Sequence, residues 1–276
     1  MIARTRLVSE VLTLLAVCSF RLLLLASCLL LLLVACSPQP LTITREPVTL
    51  RLVAADSCGS LAEELAAAYE EAHPWVTVRI ETWNSALAEQ TLRAGGADLA
   101  LLSWPGETAD DEEPLWSYPF ARDGIAVIVH PVTPLTETGL AQLREIFRGR
   151  VQEWGGMVIT VVSREEGSGT RAAFESAVLN GYDVTPTAVV MPSGEAVIEY
   201  VARTPGAIGY VSMLQLDNRV RALPVEGVLP SPATVTDGSY PLSRPLYLAA
   251  TAEPTGETRE FAQWVLGPEG QAIVER

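Results

Sequence analysis

The chain has 276 residues, 49% of them hydrophobic, and a formal net charge of −14. So acidic a polypeptide lacks the electrostatic footprint needed to hold nucleic acid or an anionic membrane surface, and neither is expected as a partner. Two histidines and four cysteines, with no His/Cys/Asp/Glu cluster at ligand spacing, argue against a metal site, and no cofactor is expected.

The N-terminus reads as an export signal. Arg4 and Arg6 form a short basic region, and Leu22 to Val34 is almost wholly apolar, the n-region and h-region of a secretory leader. An uncleaved membrane helix is the competing reading. Against it, Arg21 breaks the longer apolar stretch, and the segment that follows is short for a bilayer span. The run ends in Leu33-Val34-Ala35-Cys36, which resembles the lipobox of bacterial lipoproteins, whose cysteine is diacylated and becomes the mature N-terminus. Residues 1–35 are therefore expected as a signal peptide and 36–47 as a tether. Cys36 would carry the lipid that anchors the protein on the extracytoplasmic face of the membrane, in the periplasm or at the cell surface. Cys18 and Cys28 fall in the leader, so Cys58 is alone in the body and the fold depends on its core.

Strand-like and helix-like segments then alternate. Val48 to Ala54 predicts a strand, and Ser60 with Glu63 predicts a capping box opening a helix that carries Leu61, Leu65 and Tyr69 on one face. Pro74 closes that helix. Val76, Val78 and Ile80 alternate as a strand, and Asp98 to Leu102 makes another. Asp110 to Glu113 is a solvated acidic loop. Ile125 to Val129 is a buried strand, and Leu140, Leu143, Ile146 and Phe147 mark a helix ended by Gly149. Val158 to Val162 is a strand that runs through a glycine turn into a helix with Phe174, Ala177 and Val178. Ala207 to Val211 is a late strand, and Phe261, Trp264 and Val265 lie on a closing helix. The class is α/β, with mostly parallel sheets.

The most informative stretch is Val161-Val162-Ser163-Arg164-Glu165-Glu166-Gly167-Ser168-Gly169-Thr170-Arg171. A strand that turns through glycines straight into a helix presents free N–H groups to an oxyanion. Gly167 and Gly169 permit close backbone approach, Ser168 and Thr170 add hydroxyls, and Arg164 offers a planar two-pronged donor. Ser168 has no general base nearby in sequence, and Gly-Ser-Gly is not the nucleophile elbow of a hydrolase, so no catalytic residue is assigned.

The run Arg-Glu-Glu-Gly-Ser-Gly-Thr-Arg followed by Phe174 resembles the anion loop of the phosphate-binding proteins of bacterial ABC importers. Asp123 to Pro131 with Leu140 to Trp154, and Pro205 to Val211, resemble other parts of that family. The resemblance covers most of residues 48 to 276. It implies a two-lobed fold of the periplasmic-binding-protein type II class, with inorganic phosphate between the lobes. It assigns phosphate contacts to Arg164, Glu166, Ser168, Gly169 and Thr170 in one lobe, and to Ser57, Ser85 and Ser103 in the other. Glu166 stands where the family often has aspartate, and Asp56 beside Ser57 would repel an anion unless its backbone N–H faces the ligand. The implied division is 48–130 for the first part of lobe one, 131–212 for lobe two and 213–276 for the return to lobe one. A monomer that delivers phosphate to a membrane permease and its ATPase is expected. Rival readings are a receptor for sulfate, molybdate or tungstate, a phosphate sensor without a transporter, and, with less support, a hydrolase.

The anchor is directly testable. Cys36→Ser is expected to move the protein from the membrane fraction to a soluble or uncleaved form. Mass spectrometry of the wild-type N-terminus that finds no diacylglyceryl cysteine overturns the assignment.

Overall fold

A computed structural model describes residues 45–104 and 113–275. The leader, Cys36 and most of the acidic loop lie outside the described residues. Glu46 to Arg276 form one compact unit.

Strand β1 (Val48–Ala55) is rich in β-branched and aliphatic residues and ends fully buried. It pairs in parallel with β2 (Val76–Trp83) on one side and β3 (Leu99–Leu102) on the other. Helix α1 (Gly59–Ala72) connects β1 to β2, and α2 (Ser85–Arg93) connects β2 to β3. Leu65, Tyr69, Leu52 and Leu101 share a core on one sheet face, and Ala88, Leu92, Val53 and Leu102 share one on the other. Helices cover both faces, as parallel strands require.

Ser60 does not cap α1. The chain leaves β1 through a single 3-10 turn, Asp56–Cys58, and the Gly59 N–H bonds to the Asp56 carbonyl. That turn hands the backbone directly to α1, so the helix starts before Ser60 and its hydroxyl has no capping role.

Strand β4 (Trp116–Val129) is far longer than its apolar half, Ile125–Val129, predicts. Its first part pairs antiparallel with β11 (Ser243–Ala250) as far as Gly124. From Ile125 it pairs antiparallel with β9 (Ala207–Ser212). Strand β9 runs parallel to β7 (Thr160–Arg164), which runs parallel to β8 (Val189–Met191). The continuous order is β2-β1-β3-β11-β4-β9-β7-β8, with the short β10 (Arg221–Ala222) also on β4. The sheet is therefore mixed. Each end is parallel, and the crossing strands β4 and β11 supply the antiparallel pairs.

The second half is built around stacked rings. Phe174 lies flat on Tyr210 with centroids 4.0 Å apart, and Phe147 leans on both. Helix α3 (Leu140–Phe147) brings Phe147, and α4 (Gly169–Phe174) brings Phe174. Helix α5 (Gly194–Arg203) covers the opposite face with Val197, Ile198 and Val201. The strand expected over Val158 to Val162 is broken at Ile159. Its first residues belong to a hairpin, β5 (Glu153–Trp154) with β6 (Met157–Val158), turned by Gly155 and Gly156 at positive φ.

Residues 213–242, assigned from the sequence to the returning first lobe, contribute Leu223, Val225, Val235 and Tyr240 to the second core, α6 (Pro232–Thr236) supplying Val235. The chain rejoins the first core only along β11, where Leu246 and Leu248 pack beside Leu101. Helix α7 (Gly256–Leu266) adds Phe261 and Val265, and α8 (Pro268–Val274) restarts after Gly267 with proline in its first turn.

Phe174→Ala removes the middle ring of the Phe147–Phe174–Tyr210 stack and is expected to cost about 3–5 kcal/mol of stability. Urea denaturation checks this, and a loss under about 1 kcal/mol would show that the second core does not rest on the stack.

Candidate functional site

Four strand-end loops meet in one place. They follow β1, β2, β3 and β7 at the carboxyl ends of those strands, where open α/β sheets hold ligands. The first half contributes Ser57, Ser85 and Ser103, each 2–3% exposed. The second half contributes Arg164 and Thr170 at 1% and Ser168 at 3% exposure, with Gly169 also buried. These seven residues, with Asp56 and Asn84, line one small cavity.

Local chemistry explains each placement. Asn84 caps α2 by accepting from the Leu87 N–H at 2.9 Å, which sets Ser85 as the first helical residue. Ser85 and Ser103 then share a hydrogen bond of 2.8 Å between their hydroxyls. Ser168 caps α4 by accepting from the Arg171 N–H at 3.3 Å. Gly167 takes φ +82°, a left-handed turn that a side chain would strain, and its carbonyl accepts from the Ala86 N–H at 3.0 Å across the cleft. A Cβ on Gly169 would run into the hydroxyls of Ser85 and Ser103. The two halves are in contact here, and only glycine fits between them.

Arg164 is held by two carboxylates. Glu165 accepts from its Nε and one terminal nitrogen at 3.0 and 3.1 Å, and Asp56 accepts from the other at 2.9 Å. The same Asp56 oxygen also accepts from the Gly194 N–H at 2.9 Å, at the start of α5, and from Gln215 at 3.2 Å. Asp56 thus joins the loop after β1 to three donors of the second half. The Ser57 hydroxyl beside it is buried with no hydrogen-bond partner among the described residues, in a cavity lined by donors.

Glu166 is not brought to this cavity. It is exposed and lies at the outer mouth of the cleft, with Trp104, Arg171 and Glu175 around the same groove. The turn points successive side chains apart, so Glu165 folds back on Arg164 while Glu166 faces water. The carboxylate that lines the cavity is Asp56.

Below the cavity lies a second buried pair. Arg244 of β11 donates to Asp123 of β4 at 2.8 and 3.1 Å, and also to the Thr170 hydroxyl at 3.0 Å. Asp123 accepts in addition from the Ser212 hydroxyl at 2.9 Å. Sequence reasoning missed Arg244 and Asp123 as site neighbours. One signal was available, a charged residue just before each of two apolar runs, Asp123 before Ile125 to Val129 and Arg244 before Leu246 to Ala250. Cys58 is buried nearby, and burial pushes its thiol up to about 12, which leaves it protonated and unreactive at neutral pH. Burial likewise pushes the Tyr210 phenol up to about 12, so its hydroxyl, 2.7 Å from that of Ser163, stays neutral.

The arrangement brings hydroxyl, amide and guanidinium donors and one carboxylate together at one place. The phosphate-binding protein PstS of Bacillus subtilis (strain 168) is 31% identical over 190 residues, 67% of this chain and 62% of the relative. The phosphate-binding protein PstS 2 of Streptococcus pneumoniae TIGR4 is 36% identical over 126 residues, 42% of this chain and 43% of that one. The alignments thus span about three fifths or less of these relatives' length. A Clostridium perfringens protein crystallised with bound phosphate superposes with a TM-score of 0.77 at 29% identity, over 82% of this chain and 96% of that one. An ABC-type phosphate transport receptor from Vibrio cholerae gives 0.67 at 28% identity, with the same coverage. The PBP superfamily domain model matches residues 42–269, and the chain belongs to that superfamily.

Proposed function

We propose that the protein is a lipid-anchored, extracytoplasmic receptor for inorganic phosphate that closes around its ligand and delivers it to an ABC importer. The observation that carries this reading is the cavity itself. Its nine lining residues are all polar or glycine, and hydroxyl, backbone-amide and guanidinium donors converge on it from both halves. Such a set of donors suits an oxyanion. Ser57, Ser85 and Ser103 would donate from one half, and Arg164, Ser168, Gly169 and Thr170 from the other. A ligand that contacts both halves favours the closed form by differential affinity, and the closed form is what a permease and its ATPase would recognise. The PstS relatives and the Vibrio cholerae receptor, named for phosphate and its transport, support the same choice.

Asp56 bears on which oxyanion is taken. An ionised carboxylate only accepts hydrogen bonds. Phosphate keeps at least one proton near neutral pH and can donate it to Asp56, whereas sulfate offers lone pairs and negative charge. The same group then attracts one anion and repels the other. This is the role that the resemblance gave to Glu166, moved to the carboxylate that lines the cavity. Arg164 would ordinarily be the main charge partner of an anion. Here it is shared with Asp56 and Glu165, which gives a protonated ligand a further advantage over an unprotonated one.

Calorimetric titration of wild type and Asp56→Asn with phosphate and sulfate tests this reading. Wild type is expected to prefer phosphate by roughly a hundredfold or more, on the scale of one desolvated charge contact. The amide, which can donate, is expected to shrink that ratio. An unchanged ratio removes Asp56 from the selection, and a wild type that favours sulfate overturns the phosphate assignment.

Closure has its own test. Gly169→Ala is expected to hold the halves apart and raise the radius of gyration in small-angle scattering at saturating phosphate. Scattering identical to wild type would show that closure does not pass through the Gly169 contact.

A further inference from the structure

We propose that Arg244 is a positioning residue for ligand binding, acting through the Thr170 hydroxyl; the inference rests on the oxyanion reading above. Arginine has donors and no acceptor. The 3.0 Å contact from Arg244 to Thr170 Oγ1 is therefore one in which threonine accepts. The single proton of that hydroxyl finds no acceptor among the described residues, and Thr170 lines the cavity. The contact leaves the Thr170 O–H free to donate to whatever occupies the cavity. It also places a positive charge behind the oxygen, which strengthens the hydroxyl as a donor.

The support behind Arg244 is more elaborate than packing needs. Arg244 and Asp123 are 2% and 1% exposed and stand opposite each other in the register of β11 and β4. A buried ion pair is weak as a source of stability, because desolvation offsets much of the attraction, and an apolar pair of similar volume often does as well. This pair lies one residue before Gly124, where β4 leaves β11 and turns to β9. Ser212, the β9 residue opposite Ile125, donates to Asp123 as well. Three strands are thus fastened at the crossing, and from that fixed point Arg244 reaches Thr170 in the second half. One further Arg244 nitrogen has no hydrogen-bond partner among the described residues, and neither has the Ser57 hydroxyl of the cavity lining.

A double-mutant cycle on the full chain in detergent tests the coupling. Wild type, Thr170→Val, Arg244→Gln and the double variant are titrated calorimetrically with phosphate, sulfate and molybdate. Arg244→Gln is expected to weaken the oxyanion that wild type binds best by about tenfold or more. In the Thr170→Val background the same change is expected to cost less than about twofold, because the hydroxyl it orients is gone. Arg244→Lys, which keeps charge and donor, is expected to recover part of the loss. Should Arg244→Gln fail to fold, Asp123→Asn with Arg244→Gln removes both charges and carries the same cycle. A purely structural arginine would lower the melting temperature and leave affinity unchanged, or lower affinity equally in both backgrounds, and either result overturns the proposal. A wild type that binds none of the three anions overturns the oxyanion reading and this inference with it. Wild-type binding with additive losses overturns this inference alone.

Discussion

Burying one guanidinium organises the cleft. Arg164 ends a strand whose preceding residues, Val161 to Ser163, are already buried, so its side chain has no route to water. A buried cation left unpaired costs several kcal/mol, and the fold must bring acceptors to it. Glu165, the next residue, supplies both of its oxygens. Asp56 supplies a third and comes from the other half of the molecule. Asp56 is itself fixed by the Gly194 N–H and Gln215. The loop after β1 is therefore held by the charge requirement of a residue more than a hundred positions away. Ser57 inherits its place in the cavity from that contact.

The crossing strands solve a different problem. Two cores must share one sheet while each keeps its own closed packing. β4 does this by changing allegiance along its length, while β11 stays with the first core. Phe120, Leu246 and Leu248 belong to the first core, and Ile125, Val127 and Val129 to the second. Gly124 stands at the change, where a Cβ would press at 2.9 Å on both Met213 and Val235. A strand that serves two cores cannot slip its register without exposing one of them. That constraint gives the buried Asp123–Arg244 pair a fixed frame from which to act on Thr170.

Much of this was legible in the sequence, and the rest was hidden for identifiable reasons. Amphipathic helices such as Leu140 to Phe147 declare themselves by spacing, and the Arg164 to Thr170 loop by its glycines and hydroxyls. Trp116 to Gly124 did not read as strand, because Pro119, Arg122 and Asp123 interrupt its alternation; the β11 ladder overrides them. Strand direction was also hidden, since periodicity carries no sign. Within the site, spacing along the chain cannot tell Glu165 from Glu166. The turn geometry decides which one folds onto Arg164. Asp56 looked repulsive toward an anion when considered alone. Its part became readable only beside Arg164, a contact between residues far apart in sequence.

The acidity of the whole chain and the donors of its cavity act on different length scales. A net charge of −14 repels an approaching anion. At physiological ionic strength that repulsion is screened within about 8 Å, so it affects encounter more than the bound state. Inside the cavity a bound anion's partners would be hydroxyl, amide and guanidinium groups, in surroundings where water competes little. The carboxylates that matter there are the two on Arg164. Together they outnumber the guanidinium by one formal charge, so under the proposed reading a ligand that brings a proton would fit the cavity better than one that brings only lone pairs. For the proposed ligand, selectivity would then be a property of the pair Asp56 and Arg164, and the acidic surface would leave it unchanged.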